Sequence, residues 1–585
     1  MATPKTRAPA AGVHYRIEAA DRHAHLYRVT LTIAEPTSPQ QVSLPVWIPG
    51  SYLVREFSRH LQGLRARQGS RQGSRSVPLT QIDKCSWRID CRPGRPLVLE
   101  YQVYAFDPSV RAAWLAAERG FFNATSLCLR VEGQQDRPHL LEIVASKSIA
   151  GEQLATAAAP QKIDRNGFGT YVCASYDELA DSPVETGAFW SGSFTARGVP
   201  HRFVVAGAKR ICEAAIALWH GTKPARVRMP PYLFLLNAVD AGYGGLEHRD
   251  CTALICNRRD LPRLGGDKQP EGYTTLLGLI SHEYFHRWNV KRLRPAEFAR
   301  YDYTRENYTE LLWFFEGFTS YYDELLLRRA GLIDDAAYLK LLGKTVNQLL
   351  QAPGRHVQSV AQASFDAWVK YYRPDENTPN ATVSYYGKGA LVALCFDLTL
   401  RAEAHATLDQ VMRALWTRCR AGPMREDDFA AVLRELGGRS FAREIAAWVH
   451  GKDELPLRAL LAQHGVAVHD DPAQLAQRLG LRVDEERGLR IKTVLRGGAA
   501  EAAGFAAGDE WLAVEVGPSR NATGWRIAKL DDLLLYAGTQ QRVAAIVARD
   551  QRLLRLALTL PRGVTTWRLA LNDAAQAQKW LGAQE

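Results

Sequence analysis

GLISHEYFHRWNVKRLRP (278–295) places two histidines, His282 and His286, four positions apart with Glu283 beside the first. On an α-helix, residues i and i+4 share a face, so both imidazoles can reach one ion while Glu283 projects toward a water bound to it. The preceding TTLLGLIS (274–281) is an apolar run without proline and supports a helix. The plainer alternative is two surface histidines on an amphipathic helix. With only 15 histidines in 585 residues, that spacing around a glutamate is uncommon.

A catalytic zinc site needs a third protein ligand and an open fourth position. Downstream, NYTELLWFFEGFTSYYDELLLRRAG (307–331) predicts a helix that Asn307 or Thr309 can cap. Glu316 lies in it amid Leu311, Leu312, Trp313, Phe314, Phe315 and Phe318. A carboxylate in so apolar a stretch is costly unless paired, and a zinc ion is a sufficient partner. The competing reading is a helix-face glutamate paired with an arginine.

Outward from these motifs, the pattern changes along the chain. The first 180 residues alternate with period two, as in Tyr27, Val29, Leu31, Ile33 and Leu97, Leu99, Tyr101, Val103. This predicts an N-terminal all-β domain, sandwich-like, over 1–180. PYLFLLNAV (231–239) and CTALIC (251–256) continue as strands, and long helical periodicities follow residue 271, so 181–455 reads as an α+β domain, β part first. A separate unit of small strands and one helix spans 470–562, with a tight Asp550-Gln551 turn, and 563–585 reads as a C-terminal tail. The whole is a multidomain α+β protein.

Composition narrows the function classes. At 46% apolar and 23% charged the chain is ordinary globular material, and its length calls for several cores. No apolar run has signal-peptide or membrane-spanning length, which predicts a soluble cytoplasmic protein with no membrane partner. Nine cysteines without regular spacing read as core thiols. The net charge of +12 is dispersed, so nucleic acid is not an expected partner. RARQGSRQGSRS (65–76), with its tandem RQGS, predicts an exposed, mobile loop.

Taken together, these motifs resemble the glycyl aminopeptidase family, gluzincin zinc metallopeptidases with a thermolysin-like catalytic domain, related to the aminopeptidase N family. LPVWIPGSYLVREFSRHL (44–61) and YQVYAFDPSVRAAWLAAERGFFNATSL (101–127) are similar to that family's β-domain signatures, and SHEYFHRWNVKRLRP and FEGFTSYY to its zinc-binding and third-ligand helices. The resemblance implies one zinc ion per chain, held by His282, His286 and Glu316, with Glu283 as catalytic base. It implies that GYGGLEH (242–248) is a substrate-binding edge strand, in which Gly244 and Gly245 let a peptide backbone approach and Glu247 binds a free α-ammonium group. It implies that Tyr386 of SYYGKGALVAL (384–394) stabilises the oxyanion, with Tyr385 its nearest competitor. The interval from His286 to Glu316 is longer than is usual among aminopeptidase N relatives, so KRLRPAEFARYDYTRE (291–306) is expected to form an extra loop that shapes or covers the site.

The 470–562 unit resembles a PDZ domain, with Leu479-Gly480-Leu481-Arg482 as carboxylate-binding loop and KLDDLLLYAG (529–538) as the helix flanking a peptide groove. The expected function is zinc-dependent hydrolysis of the N-terminal bond of peptide substrates, favouring small first residues (Gly or Ala) as the family name implies, with a peptide or protein partner at the PDZ module. The alternatives are a PDZ-guided zinc endopeptidase and a non-catalytic PDZ scaffold with a relic peptidase domain.

Overall fold

The period-two alternation of the N-terminal residues closes into sheets. In the computed structural model, which describes residues 12–69, 75–146, 149–203, 207–221, 229–262, 270–403, 406–518 and 520–582, Val13, Tyr15 and Ile17 and the facing Val29, Leu31 and Ile33 are all buried. The chain forms two compact units, Met1–Asn307 with Ala421–Pro423, and Tyr308–Arg420 with Met424–Glu585.

In the first unit, an eight-stranded sheet is centred on Val13–Asp21, Leu26–Ile33 and Leu97–Tyr104, with Val29 opposite Tyr101 and Leu31 opposite Leu99. Two four-stranded sheets complete this all-β domain, and one apolar core runs through it. The Tyr15, Tyr101 and Tyr176 hydroxyls each donate to a backbone carbonyl of Leu127–Leu129, so the buried phenols are satisfied. Part of the expected loop at 65–76 is strand instead: Leu61–Gln68 pairs with Arg75–Ser76, Arg67 opposite Ser76. The alternation Leu64, Ala66, Gln68 continues the sheet into the first RQGS, and residues 70–74 lie outside the described ones.

A five-stranded sheet follows, in the order Ser193–Ala196, Val199–Arg202, Tyr232–Val239, Cys251–Asn257, Gly244–Glu247. Tyr232–Val239 and Cys251–Asn257 are parallel, and the short Gly244–Glu247 strand folds back antiparallel to occupy the sheet edge. Helix Glu271–Phe285 carries His282 and Glu283, and His286 is its C-cap. The connection after it is pinned rather than free. Trp47 Nε1 donates to Asp302 O at 2.8 Å, Val46 N to Tyr303 O at 2.8 Å, and Tyr303, buried in the β-domain core, donates to Asp177.

The second unit is helical through Leu312–Phe315, Gly317–Arg329, Asp335–Leu350, Gly387–Glu403, Leu408–Arg418 and Glu426–Gly437. Asp334 caps one helix and Thr407, with Gln410, another. The predicted 307–331 helix starts later, at Leu312. Thr309 Oγ1 accepts from Leu311 N and Asn307 Oδ1 from Asp302 N, so both expected caps are used within the preceding loop.

Strand Val466–Pro472 pairs with Thr565–Leu571, and between them a six-stranded sheet folds around its own core of Leu479, Ile491, Trp511, Leu533 and Val547. The Asp550-Gln551 turn has φ of 49° and 62°, joining Arg542–Arg549 to Arg552–Thr559. Residues 563–585, expected as a tail, instead contain strand Thr565–Leu571 and helix Ala574–Leu581. Trp580 is buried, and Arg328 and Arg401 donate to the carbonyls of Leu581 and Lys579. All nine cysteines are free thiols, eight of them buried. No helix among the described residues is long and apolar enough to cross a membrane.

Candidate active site

In the first unit, the helical rise brings His282 and His286 together, their Nε2 atoms 3.0 Å apart. His286 Nδ1 lies 2.7 Å from the Asn289 carbonyl. A carbonyl only accepts, so Nδ1 carries the hydrogen and Nε2 keeps a lone pair for an ion. Two ring nitrogens bound tetrahedrally to zinc at about 2.05 Å stand roughly 3.3 Å apart, close to this spacing. The donor set therefore fits a zinc ion.

Glu283 is buried and faces the edge strand: a Cβ on Gly245 would overlap its carboxylate. Because strand residues i and i+2 share a face, Glu247 lies on the same side as Gly245. Glu247, Glu283 and His286 each offer a ligand atom within 4.8 Å of the others. Glu247 is buried, and its Oε1 has no hydrogen-bond partner among the described residues. Two carboxylates this close call for positive charge between them.

The surroundings of Glu247 include residues that motif reading did not single out. A Cβ on Gly50, whose φ is +92°, would sit 2.5 Å from both Glu247 oxygens, so the WIPGSY loop of the β-domain forms one wall of this carboxylate's seat. On the other side of the chain, Asp181 Oδ1 lies 2.7 Å from Lys291 Nζ and 3.2 Å from His248 Nδ1, and Oδ2 accepts from Arg249 N. Burial opposes ionisation of Asp181, but the Lys291 ammonium and the His248 ring outweigh it and hold the carboxyl well below the usual range. The residues following Glu247 are thus fixed by a buried charge cluster. Arg287, fully buried after the motif, donates to Asp250 and to Pro230 O and anchors the end of the helix.

In the second unit, Glu316 is buried between the Leu312–Phe315 and Gly317–Arg329 helices, and the turn continues through it: Glu316 N donates to Leu312 O and Ser320 N to Glu316 O, both at 2.8 Å. Gly317 and Gly389 make the decisive packing contact. A Cβ on Gly317 would lie 2.5 Å from Gly389 Cα, and one on Gly389 would lie 2.6 Å from Trp313 O. The two helices therefore cross backbone to backbone, and the residues flanking the crossing are Glu316 and, three before Gly389, Tyr386. Burial raises the Tyr386 phenol well above its usual range, and the nearby Glu316 carboxylate adds to the shift. The hydroxyl stays protonated and can donate. Tyr385 is fully buried and stacks on Tyr386 with ring centres 4.8 Å apart, whereas Tyr386 keeps some exposure.

Comparison with known proteins bears on these groups. The M61 glycyl aminopeptidase family model matches residues 275–392, and the peptidase M61 N-terminal domain model matches 14–188. No curated protein matches. Among solved structures, an aminopeptidase N family protein from Idiomarina loihiensis is 35% identical, with a TM-score of 0.89, covering 97% of this chain and 100% of its own. An M1 zinc metallopeptidase from Deinococcus radiodurans is 15% identical at a TM-score of 0.46, covering 76% of this chain and 94% of its own. An aminopeptidase A from Legionella pneumophila is 14% identical at 0.47, covering 89% and 56%. The last two are too distant to carry an argument. Two family models over 14–188 and 275–392 and a 35% identical relative over nearly the full length agree: the chain belongs to the M61 glycyl aminopeptidase family and is a peptidase of the aminopeptidase type.

Proposed function

We propose that the protein is a zinc-dependent aminopeptidase that hydrolyses the N-terminal bond of peptides, with His282, His286 and Glu316 holding the metal. The observation that carries this reading is Glu247: a buried carboxylate whose Oε1 has no hydrogen-bond partner among the described residues, within ligand distance of Glu283 and His286, suits a free α-ammonium group. When bound, zinc polarises the scissile carbonyl and lowers the pKa of its water. Glu283 takes the water's proton and passes it to the leaving amine. The Tyr386 hydroxyl donates to the oxyanion, and Tyr385, stacked beneath it, packs. Gly244 and Gly245 admit the substrate backbone along the strand edge, and Glu247 fixes the cut at the first residue. Small first residues, Gly or Ala, are the preferred ones, a reading supported by the family description alone.

Free, buried cysteines support a cytoplasmic setting. For residues 470–562 we propose a PDZ-type module that binds a peptide by strand addition. Support comes from Leu481–Asp484 lying at a sheet edge beside a groove lined by Val483, Glu485, Leu530 and Leu534. The test of the catalytic assignment is Glu283→Gln. It should retain one zinc per chain by elemental analysis and lose turnover of free-amine peptides; undiminished turnover would remove Glu283 from the mechanism.

A further inference from the structure

The β-domain supplies a residue that the mechanism above leaves unused. Arg111, in the signature stretch 101–127, extends to the edge strand, where its Nη2 donates to the Gly245 carbonyl at 3.2 Å. A Cβ on Gly244 would lie 3.6 Å from its Nη1. The guanidinium is half-buried. Its Nε is shielded from solvent and has no hydrogen-bond partner among the described residues, and Arg111 enters no ion pair among them.

The loop that presents it is built for the purpose. Asn123, fully buried, donates through Nδ2 to Val110 O at 2.9 Å and to Ala112 O at 3.2 Å, the carbonyls on either side of Arg111. Ser109 N donates to Asp107 Oδ1, and Arg111 N to Ser109 Oγ. Val110 packs in one apolar cluster with Leu246 of the edge strand. The backbone is thus fixed at each neighbour of Arg111, yet among the described residues the side chain ends on a single neutral acceptor.

A guanidinium presents five donors in a planar fork, which matches a carboxylate in bidentate fashion. One carbonyl at 3.2 Å leaves most of that capacity unused in a partly dry setting. That carbonyl also lies on the strand edge, where an incoming peptide N–H would bond if it joined as a strand. A peptide arriving there competes with Nη2 for Gly245 O and releases the fork. Glu247 and Glu283 already serve the ammonium group and the water, so the carboxylate that Arg111 meets comes with the substrate.

We infer that Arg111 is a specificity residue that binds a substrate carboxylate close to the scissile bond, so that the enzyme favours short peptides carrying one. The inference rests on the aminopeptidase reading. The carboxylate has two possible sources, the C-terminus of a dipeptide or an acidic side chain in the second residue, and the substrates below separate them.

The test compares kcat/KM for Ala-Ala against Ala-alaninamide, and for Ala-Glu-amide against Ala-Gln-amide, in the full-length zinc-loaded protein and in Arg111→Gln and Arg111→Lys. A charge-assisted hydrogen bond corresponds to roughly ten- to hundredfold in affinity. At least one charged-to-neutral ratio should therefore be about ten or more in the wild type, expressed in KM, and the pair that shows it identifies the source. Arg111→Gln should bring that ratio to about one, and Arg111→Lys should restore part of it. Ratios near one in the wild type, or a ratio that survives Arg111→Gln while overall activity falls, would overturn the inference; the second result would make Arg111 a mere staple of its loop. If the wild type cleaves none of these peptides, the aminopeptidase reading fails by itself. Calorimetric titration of Glu283→Gln, with and without Arg111→Gln, with the same peptides then decides: a tenfold preference for the charged peptide that needs Arg111 sustains the inference, and equal affinities end it.

Discussion

The two groups of candidate site residues are held by different means. In the first unit, Glu247, Glu283 and the histidine pair sit among charges: Asp181 with Lys291 and His248, and Arg287 with Asp250. In the second, Glu316 and Tyr386 flank a crossing of two helices that only glycines permit, surrounded by Trp313, Phe314 and Phe318. Charged pairs brace the first group, where Gly50 and Gly245 also close on the two carboxylates, and backbone proximity alone sets the crossing beside the second. The lesson is that the same task, placing a carboxylate within about half an ångström, is met in the first unit by glycine contacts braced by neighbouring ion pairs, and in the second by a close helix crossing.

This contrast can be broken in order of expected effect. Glu283→Gln should lower kcat about 10²- to 10⁴-fold, the range of a positioned general base, with melting temperature unchanged. Asp181→Asn leaves the Lys291 ammonium buried without its counter-charge and should destabilise the protein by about 3 kcal/mol, read by denaturant unfolding of the transition that contains the first unit. Gly245→Ala pushes on the Glu283 carboxylate and should cost about a hundredfold in kcat with little change in stability. Gly317→Ala forces apart the helices that carry Glu316 and Tyr386 and should cost about 1–3 kcal/mol in thermal unfolding, with activity falling alongside. If Gly317→Ala proves harmless while Asp181→Asn unfolds the protein, packing does not position the second group as described.

Much of this was legible in local sequence. His282, Glu283 and His286 lie within one helical turn and a half, so spacing alone discloses their common face, and Glu316 stands out because a charge is rare among so many aromatics. The β-domain follows from alternation, since burial on one face of a strand leaves that trace directly. The helix starts at Leu312 and not where cap type suggests, because the oxygens of Asn307 and Thr309, good caps by type, are used by the preceding loop. Helix Ala574–Leu581 was readable in the spacing of Ala577, Trp580 and Leu581, an apolar stripe at i, i+3 and i+4. Gly50 and Arg111 left no such trace. Arg111 meets a carbonyl 134 positions away, and Gly50 meets a carboxylate in a different sheet, so neither relation has a periodicity to reveal it. The purpose of Gly317 and Gly389 was hidden for the same reason: a glycine needed for helix crossing looks, in sequence, like any glycine in a helix.

The most direct test of the central claim is hydrolysis of Ala- and Gly-initiated peptides by the zinc-loaded protein, each substrate free and N-acetylated, before and after chelation. The account predicts metal-dependent release of the first residue from the free-amine peptides only, because the role proposed for Glu247 needs an ammonium group. Cleavage of acetylated peptides at comparable rates would contradict it and make the protein an endopeptidase.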